Sequence, residues 1–425
     1  MNILFIHQNF PGQFKHLAPA LAARGHGCTA LTLKVKEEVT WNGVRVLPYA
    51  LPKRPAQQTH PWLIDLDTKV TRGEACWRAA RDLAAGGYVP DLILAHHGWG
   101  ESMFLRDLWP GARMALYCEL YHQAGYPHLD FDPEFKSREP DVQPLRIRLK
   151  NLGNHLHFPL AEAGISPTAF QADTFPPEFR DRITVCHDGI DTDWSAPDPK
   201  VTLSLKGHPE YSRDTEIITF INRNLEPYRG YHVFMRALPD LLRARPNARV
   251  IIIGGDEVSY GSAPPKGQTW KQIFRDEVQG QISAEDWRRV HFLGRIPHDQ
   301  FTRVLQISRV HVYLTYPFVL SWSLMEAMSC GAAIVASDTA PVREVIAHDR
   351  TGRLVDFFDR KALVREVCDL LDDPQARARL GTAARALMVE RYDLKRTSLP
   401  RQLAWVDEVM QIPLVTEPPA PPPPA

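Results

Sequence analysis

The chain has 425 residues, enough for about two to three domains, and its 44% hydrophobic and 24% charged content is that of an ordinary globular protein. Lys+Arg and Asp+Glu are equal at 50 each, which argues against nucleic acid as a main partner. The six cysteines form no Cys-x-x-Cys pair, the N-terminal MNILFIHQNF has neither a basic n-region nor a long apolar h-region, and no stretch approaches a membrane span. The expectation is a cytoplasmic protein with free, buried thiols.

Along the chain, short apolar runs alternate with segments of helical period. In the first half the strand-like runs are Ile3–Ile6, Cys28–Leu31, Val44–Leu47, Leu92–Ala95, Met114–Tyr117 and Ile183–Val185. Helical stretches lie at Gln13–Arg24, Leu66–Ala85 and Leu145–Leu156. In the second half strands are expected at Ile217–Ile221, Val250–Ile253, Val290–Leu293, Val310–Leu314, Ala333–Ala336 and Arg353–Val355. Helices there are expected at Tyr231–Ala244, His298–Ile307, Leu324–Cys330 and Val342–Ala347. Such β-α alternation implies parallel sheets covered on both faces. It gives an α/β chain of two doubly wound domains, 1–190 and 191–385, joined near the polar, Pro-containing His187–Lys200. A helical segment over 386–412, broken near the Ser-Leu-Pro at 398–400, follows and can pack back on the first domain. A Pro-rich tail, 413–425, is expected to be disordered.

Two clusters carry chemistry. The segment Tyr316–Gly331 follows a strand and leads into a helix, so the amides of Leu320, Ser321, Trp322 and Ser323 can donate to a diphosphate at a helix N-terminus. Glu326, read as lying in the first turn, can accept ribose hydroxyls. Equally, Ser323-x-x-Glu326 reads as a capping box. The second cluster, INRNLEPYRGY at 221–231, places Arg223 and Arg229 on the loop between a strand and a helix. Two fixed cations there suit a diphosphate leaving group, and they also read as solvated loop arginines.

Together these clusters resemble the retaining glycosyltransferases of family 4, which have the GT-B fold. "INRNLEPYRG" looks like the family's Gly-Arg-Leu…Lys-Gly segment, with Arg223 on the Arg and Arg229 on the Lys that bind the donor diphosphate. "SLMEAMSCGAAIVASDTAPVREVI" looks like the family's Leu-x-Glu-Ala-Met-Ala-Cys-Gly segment, with Glu326 on the ribose-binding Glu. "HFLGRIPHDQ" resembles the stretch whose backbone meets the nucleobase, at Arg295 and Ile296, and "VIIIGGDE" resembles the strand ending in Gly-x-Gly. In the first half, "HQNFPGQFKHLAPALAARGH" looks like the opening strand, glycine turn and helix, with Gly12 on the glycine that lets backbone approach the donor phosphate. "DLILAHHGWGES" resembles the segment carrying the active-site His, where His97 aligns one residue better than His96.

One position departs from the family. Its pattern is Glu, seven residues, Glu, and the position eight before Glu326 is Phe318, not the Glu that touches the transferred sugar. The resemblance implies two Rossmann-like domains facing across a cleft that holds a nucleotide-sugar donor. It also implies retention of configuration by front-face attack through an oxocarbenium-like state. No metal and no further cofactor are expected, because the arginines and helix end supply the positive charge. Neither AspLeuAsp at 65–67 nor AspThrAsp at 191–193 lies at a strand end. The acceptor is a glycan, lipid or small molecule. Tyr121–Arg148, long, aromatic and Pro-broken, reads either as an acceptor-binding loop of the first domain or as a surface excursion. The basic run Arg146, Arg148, Lys150 reads either as a peripheral membrane contact or as a solvated face. Two alternatives share the fold: a nucleotide-sugar epimerase and a catalytically silent nucleotide-sugar-binding protein.

Overall fold

The structure, a computed structural model, describes residues 1–52, 59–125 and 129–415. The tail from Glu417 onward lies outside the described residues. The chain divides into two compact units. The first takes Met1–Tyr126, Ser137–Asp188 and Ser398–Ala425, and the second takes Pro127–Lys136 and Gly189–Thr397.

The first unit is built on β1 (Asn2–Ile6), β2 (Gly27–Thr32), β3 (Val39–Trp41), β4 (Val44–Pro48), β5 (Leu92–His96), β6 (Arg113–Tyr117), β7 (Ala163–Ser166) and β8 (Ile183–Val185). Their order is β3-β4-β2-β1-β5-β6-β7-β8. All neighbours pair parallel except β3, which runs antiparallel to β4 at the edge. Successive side chains leave a strand on opposite faces. Accordingly Ile3 and Phe5 face one core with Leu21, while Leu4 and Ile6 face another with Ile93 and Phe158. The C-terminal Leu399–Val409 helix completes the first of these cores with Leu403, Trp405 and Val406.

The second unit holds β9 (Ile217–Asn224), β10 (Arg249–Gly255), β11 (Val290–Gly294), β12 (Val310–Tyr313), β13 (Ala333–Ser337) and β14 (Arg353–Val355). They form an all-parallel sheet of order β11-β10-β9-β12-β13-β14. Helices Tyr231–Ala244 and His298–Ile307 stand as expected from their periodicity.

Several elements differ from the sequence reading. Strands β3 and β7 were not anticipated. Gln13–Arg24 is a short turn, Gly12–Phe14, followed by a helix only from Leu17 to Ala23. Leu145–Leu156 is two helices, Gln143–Lys150 and Leu152–His157, and Val342–Ala347 reduces to Ala340–Arg343. The chain re-enters the first unit at Ser398, after the Pro374–Arg391 helix and the wide turn Leu394–Ser398.

Each sheet has one point where the strand order reverses: between β1 and β5 in the first unit, and between β9 and β12 in the second. Ligands of such sheets bind beyond the carboxyl ends of the strands at that point. In the second unit the β9 connection turns into the Tyr231–Ala244 helix through Gly230, at φ +67°. A Cβ on Gly230 would lie 2.2 Å from Cβ of Leu314, so neither the angle nor the space admits a side chain. Gly230→Ala is expected to lower the unfolding free energy by at least about 1–3 kcal/mol from backbone strain alone. Urea denaturation against wild type measures this, and an unchanged midpoint and slope would contradict it.

Candidate active site

At the β9 end of the second unit, Arg223 lies on the strand itself, exposed, rather than on the loop beyond it. Arg229 ends a single turn, Pro227–Arg229, and is buried, 6% exposed. Its Nη1 donates to the Tyr313 hydroxyl (3.2 Å), the Thr315 hydroxyl (2.9 Å) and the Val319 carbonyl (2.8 Å). The rings of Tyr260 and Phe318 flank the guanidinium at 5.1 and 6.0 Å. Burial works to lower its pKa, yet the hydroxyls of Tyr313 and Tyr260 and the carboxylate of Glu226 outweigh it and hold the cation. Among the described residues no carboxylate reaches ion-pair distance of Arg229. A buried charge without a counter-ion is expensive, so this arrangement calls for an anion from outside the chain.

The helix after β12 runs Trp322–Ser329, and Ser321 is its N-cap, its Oγ accepting from the Ser323 amide at 3.3 Å. The capping box at Ser323 and Glu326 is therefore not formed, and Glu326 lies in the second turn rather than the first. The physical reason is that Ser321, two residues earlier, has the extended backbone an N-cap requires. Of the four amides expected to bind phosphate, those of Ser321 and Ser323 already donate within the chain, Ser321 to the Tyr313 hydroxyl at 3.0 Å. Leu320 is buried and Trp322 exposed. Glu326 accepts from Nε2 of His298 at 2.7 Å, and the His298 ring stacks parallel to Trp194.

Next to this, Arg295 donates to the Asn224 side chain (3.0 Å) and pairs with Glu257 (2.5 Å), while Ile296 packs on the core. Gly255 at the end of β10 is explained by the same group. A Cβ there would stand 2.5 Å from the Asn224 side-chain oxygen and 2.6 Å from Arg295 Nε. The structure thus brings Arg229, Arg223, Arg295, Ser321 and Glu326 to one edge of one sheet, beyond β9, β11 and β12.

Glu226 was not singled out from the sequence as a site residue. Fully buried, it accepts the amides of Ser259 (3.1 Å) and Tyr260 (3.2 Å) and so fastens the loop that carries Tyr260 against Arg229. Burial raises its pKa, against the pull of those amides and of both arginines. Phe318 meets Tyr260 and Tyr228 edge-on, at 4.9 and 5.4 Å, so an aromatic wall stands where the family has a carboxylate.

In the first unit the β1 and β5 ends meet at the switch point. His7, just after β1, donates from Nε2 to Gln13 (2.7 Å) and accepts the Asn9 amide at Nδ1 (3.0 Å). Gly12, at φ +47°, lies so close that a Cβ would be 2.2 Å from His7 Nε2, which is reason enough for a glycine there. His96 ends β5, stacks on Trp99 at 3.8 Å, and meets His7 edge-on. Its Nδ1 accepts the Gly98 amide (3.1 Å), and its Nε2 lies 3.6 Å from the Glu119 carboxylate. His97 turns elsewhere: its Nδ1 bonds the Asn154 side-chain oxygen (2.7 Å) and its ring meets Phe175. Gly12, His7 and His96 are therefore neighbours, and His97 is not part of that group.

Among the described residues, Asp132, Glu134 and His232 bring potential metal-ligand atoms within 4.8 Å of one another. Their oxygens are already engaged. Asp132 accepts from His232 and Tyr316, and Glu134 is held by Arg236 at 2.6 and 2.9 Å. The arrangement is an ion-pair network within the second unit. Residues 131–135, read from the sequence as part of a first-domain loop, belong to that unit.

Two doubly wound units with a cationic, helix-capped edge on the second define a GT-B glycosyltransferase. Residues 24–194 match the glycosyl transferase family 4 group, and residues 208–387 match glycosyl transferases group 1. The chain belongs to the family 4 glycosyltransferases, enzymes of the transferase class. It is 32% identical over 189 residues to a phosphatidyl-myo-inositol mannosyltransferase of Mycolicibacterium smegmatis, an alignment covering 43% of each chain. It is 26% identical over 388 residues to a D-inositol 3-phosphate glycosyltransferase of Corynebacterium efficiens, covering 84% of this chain and 85% of the relative. In fold it matches a sucrose-phosphate synthase of Thermosynechococcus elongatus with TM-score 0.73 at 17% identity, over 96% of this chain and 99% of that one. Anabaena HepE, solved with UDP and glucose, matches with TM-score 0.65 at 16% identity, over 96% and 99%.

Both units bury neutral histidines. Burial pushes His157 from its ordinary 6.5 down to about 3, and neither ring nitrogen finds a hydrogen-bond partner. Burial likewise brings His311 to about 3 and His187 to about 4. These folded-state values lie below those of the unfolded chain. The stability they contribute is thus complete above pH 6.5 and is lost as pH falls toward 3, at about 1.4 kcal/mol per pH unit for each group. His157→Phe removes one such group. Between pH 7.5 and pH 5 this variant should lose about 2 kcal/mol less unfolding free energy than wild type in urea titrations, and equal losses would contradict the assignment.

Proposed function

We propose that this enzyme transfers a sugar from a nucleoside-diphosphate sugar to a hydroxylated acceptor, a glycan, lipid or small molecule, with retention of configuration and without a metal. The observation that carries the reading is Arg229: a buried guanidinium, fixed by two hydroxyls and a carbonyl, with no carboxylate at ion-pair distance among the described residues. A diphosphate at the β9–β12 edge supplies the missing charge, and Arg223 adds a second, exposed cation. As the sugar–phosphate bond breaks, both cations stabilise the charge that grows on the leaving group. Glu326, beside His298, then takes the ribose, and Arg295 and Ile296 border the base. HepE's bound UDP and glucose support a nucleotide-sugar donor.

In the first unit, the sugar-facing imidazole is assigned to His96 rather than His97. His96 shares its surroundings with Gly12 and His7, whereas His97 is committed to Asn154. Peripheral membrane contact is assigned to the Gln143–Lys150 helix and its successor. Leu145, Leu152 and Leu156 are exposed there beside Arg146 and Arg148, and the lipid-linked substrate named for the mycobacterial relative accords with this. Lys150 is turned inward, where burial lowers its pKa, and takes no part. No helix among the described residues is long and apolar enough to cross a membrane.

A thermal-shift screen against UDP-, GDP-, ADP- and TDP-sugars should single out one base. A ligand at 100 times its dissociation constant adds about 2.7 kcal/mol to stability. With that donor, Arg223→Ala should reduce turnover on the order of a hundredfold, about 3 kcal/mol of transition-state stabilisation. Wild-type turnover in the variant would remove the leaving-group role. Leu152→Ser/Leu156→Ser should weaken co-sedimentation with phosphatidylglycerol vesicles, and unchanged pelleting would contradict the membrane face.

A further inference from the structure

The residues that hold Arg229 come from two chain connections: the turn after β9, which carries Arg229 itself, and the segment after β12, which carries Thr315 and Val319. Asp132, from a third segment of the chain, ties these connections together. It is buried, 3% exposed, and one oxygen, Oδ2, accepts two hydrogen bonds: from Nε2 of His232 at 2.8 Å and from the Tyr316 hydroxyl at 2.8 Å. His232 lies in the first turn of the helix that follows Arg229, and Tyr316 follows Thr315 directly. Tyr316 in turn donates its amide to the Tyr228 carbonyl at 3.0 Å, and the two rings lie 4.6 Å apart. Tyr228 immediately precedes Arg229.

We propose that Asp132 is a positioning residue of the donor site: its carboxylate joins the two connections that hold Arg229 and thereby fixes the guanidinium for the diphosphate. This rests on the reading of the β9–β12 edge as the donor site. Asp132 is itself set by its neighbours. Phe131 packs on Tyr316 and Phe357 at 5.1 and 5.2 Å, and Phe135 packs on His232 and Trp270 at 5.3 and 5.4 Å. Glu134 accepts both Nη groups of Arg236, which also pairs with Glu277. The 131–135 segment is thus seated by three side chains other than Asp132, namely Phe131, Glu134 and Phe135, so removing that one carboxylate frees His232, Tyr316 and the Glu134 amide while those three still hold the segment. Burial works to raise the Asp132 pKa, but the bonds from His232 and Tyr316 and the Glu134 amide outweigh it, so the group is ionised and its bonds are charge-assisted.

The test uses the full-length protein, with Asp132→Ala, Asp132→Asn, Tyr316→Phe and the double variant Asp132→Ala/Tyr316→Phe. UDP, GDP, ADP and TDP serve as probes in titration calorimetry, and the preferred nucleotide-sugar is used for kinetics. Asp132→Ala and Tyr316→Phe should each weaken nucleotide binding, and raise the donor KM more than they lower kcat, by about tenfold, the range of a lost bond to a charged group. The double variant should be no weaker than Asp132→Ala, because both changes break one linkage. Asp132→Asn, which keeps an acceptor for Tyr316, should recover part of the loss. Wild-type affinity in both single variants, or fully additive losses in the double variant, would overturn the positioning role. If Asp132→Ala does not fold, Tyr316→Phe, which removes one hydroxyl, decides the matter by its own affinity. Failure of the wild-type protein to bind any of the four nucleotides overturns the donor reading itself, and this proposal with it, and is distinguished by appearing before any substitution.

Discussion

A guanidinium taken out of water without a carboxylate partner is the constraint around which the second unit is arranged. Arg229 is bonded by dipoles, the hydroxyls of Tyr313 and Thr315 and the Val319 carbonyl, and faced by the rings of Tyr260 and Phe318, with the Glu226 carboxylate acting on it only from beyond ion-pair distance. Dipoles fix the position of a cation without cancelling its charge, so the field of Arg229 remains available to an incoming anion. Lysine could not be held in this way. One Nη of the planar fork reaches three acceptors while the π-faces cover the rest of the group, a geometry a point-like ammonium on a flexible stem does not offer. The Tyr313 hydroxyl serves twice, accepting from Arg229 and from the Ser321 amide. The same phenol therefore sets both the cation and the start of the helix that carries Glu326.

The first unit shows how little separates a residue inside a site from one outside it. His96 and His97 are adjacent, and both are buried. His96 ends the strand, and His97 begins the turn that follows it. His96 has Trp99 stacked on it and His7 against its edge. His97 lies parallel to His96 at 5.8 Å and is held by Asn154.

The parts legible in the sequence were those with a strong local signal. The near-continuous apolar runs of β1, β5, β9, β10 and β12 announce strands buried on both faces, and Tyr231–Ala244 and His298–Ile307 announce amphipathic helices. Strand β7 reads Ala-Gly-Ile-Ser and β3 reads Val-Thr-Trp, too short or too poor in large side chains to stand out, and both are held by their neighbours rather than by propensity. The cap of the Trp322–Ser329 helix was misplaced because two serines lie two positions apart and either could serve. Residues 131–135 were wholly illegible. Their partners, His232, Tyr316 and Phe357, lie about a hundred or more positions away, and no local pattern encodes a contact at that separation.

Phe318 gains a physical meaning from these surroundings. A carboxylate at that position, 6.0 Å from the Arg229 guanidinium centre across an aromatic ring's width, would stand within strong Coulombic reach of it in a site of low dielectric. It would offset part of the charge that the diphosphate must meet. With phenylalanine there, packed edge-on against Tyr228 and Tyr260, no such offset exists and the wall toward the donor is apolar. The exchange shifts recognition from the transferred sugar, which loses an acceptor for its hydroxyls, to the diphosphate, which meets an undiminished cation. On the proposed donor reading, phosphate recognition carries a larger share of donor binding than the family pattern implies, and Glu226, which holds the Tyr260 loop in place, belongs to the support of that site.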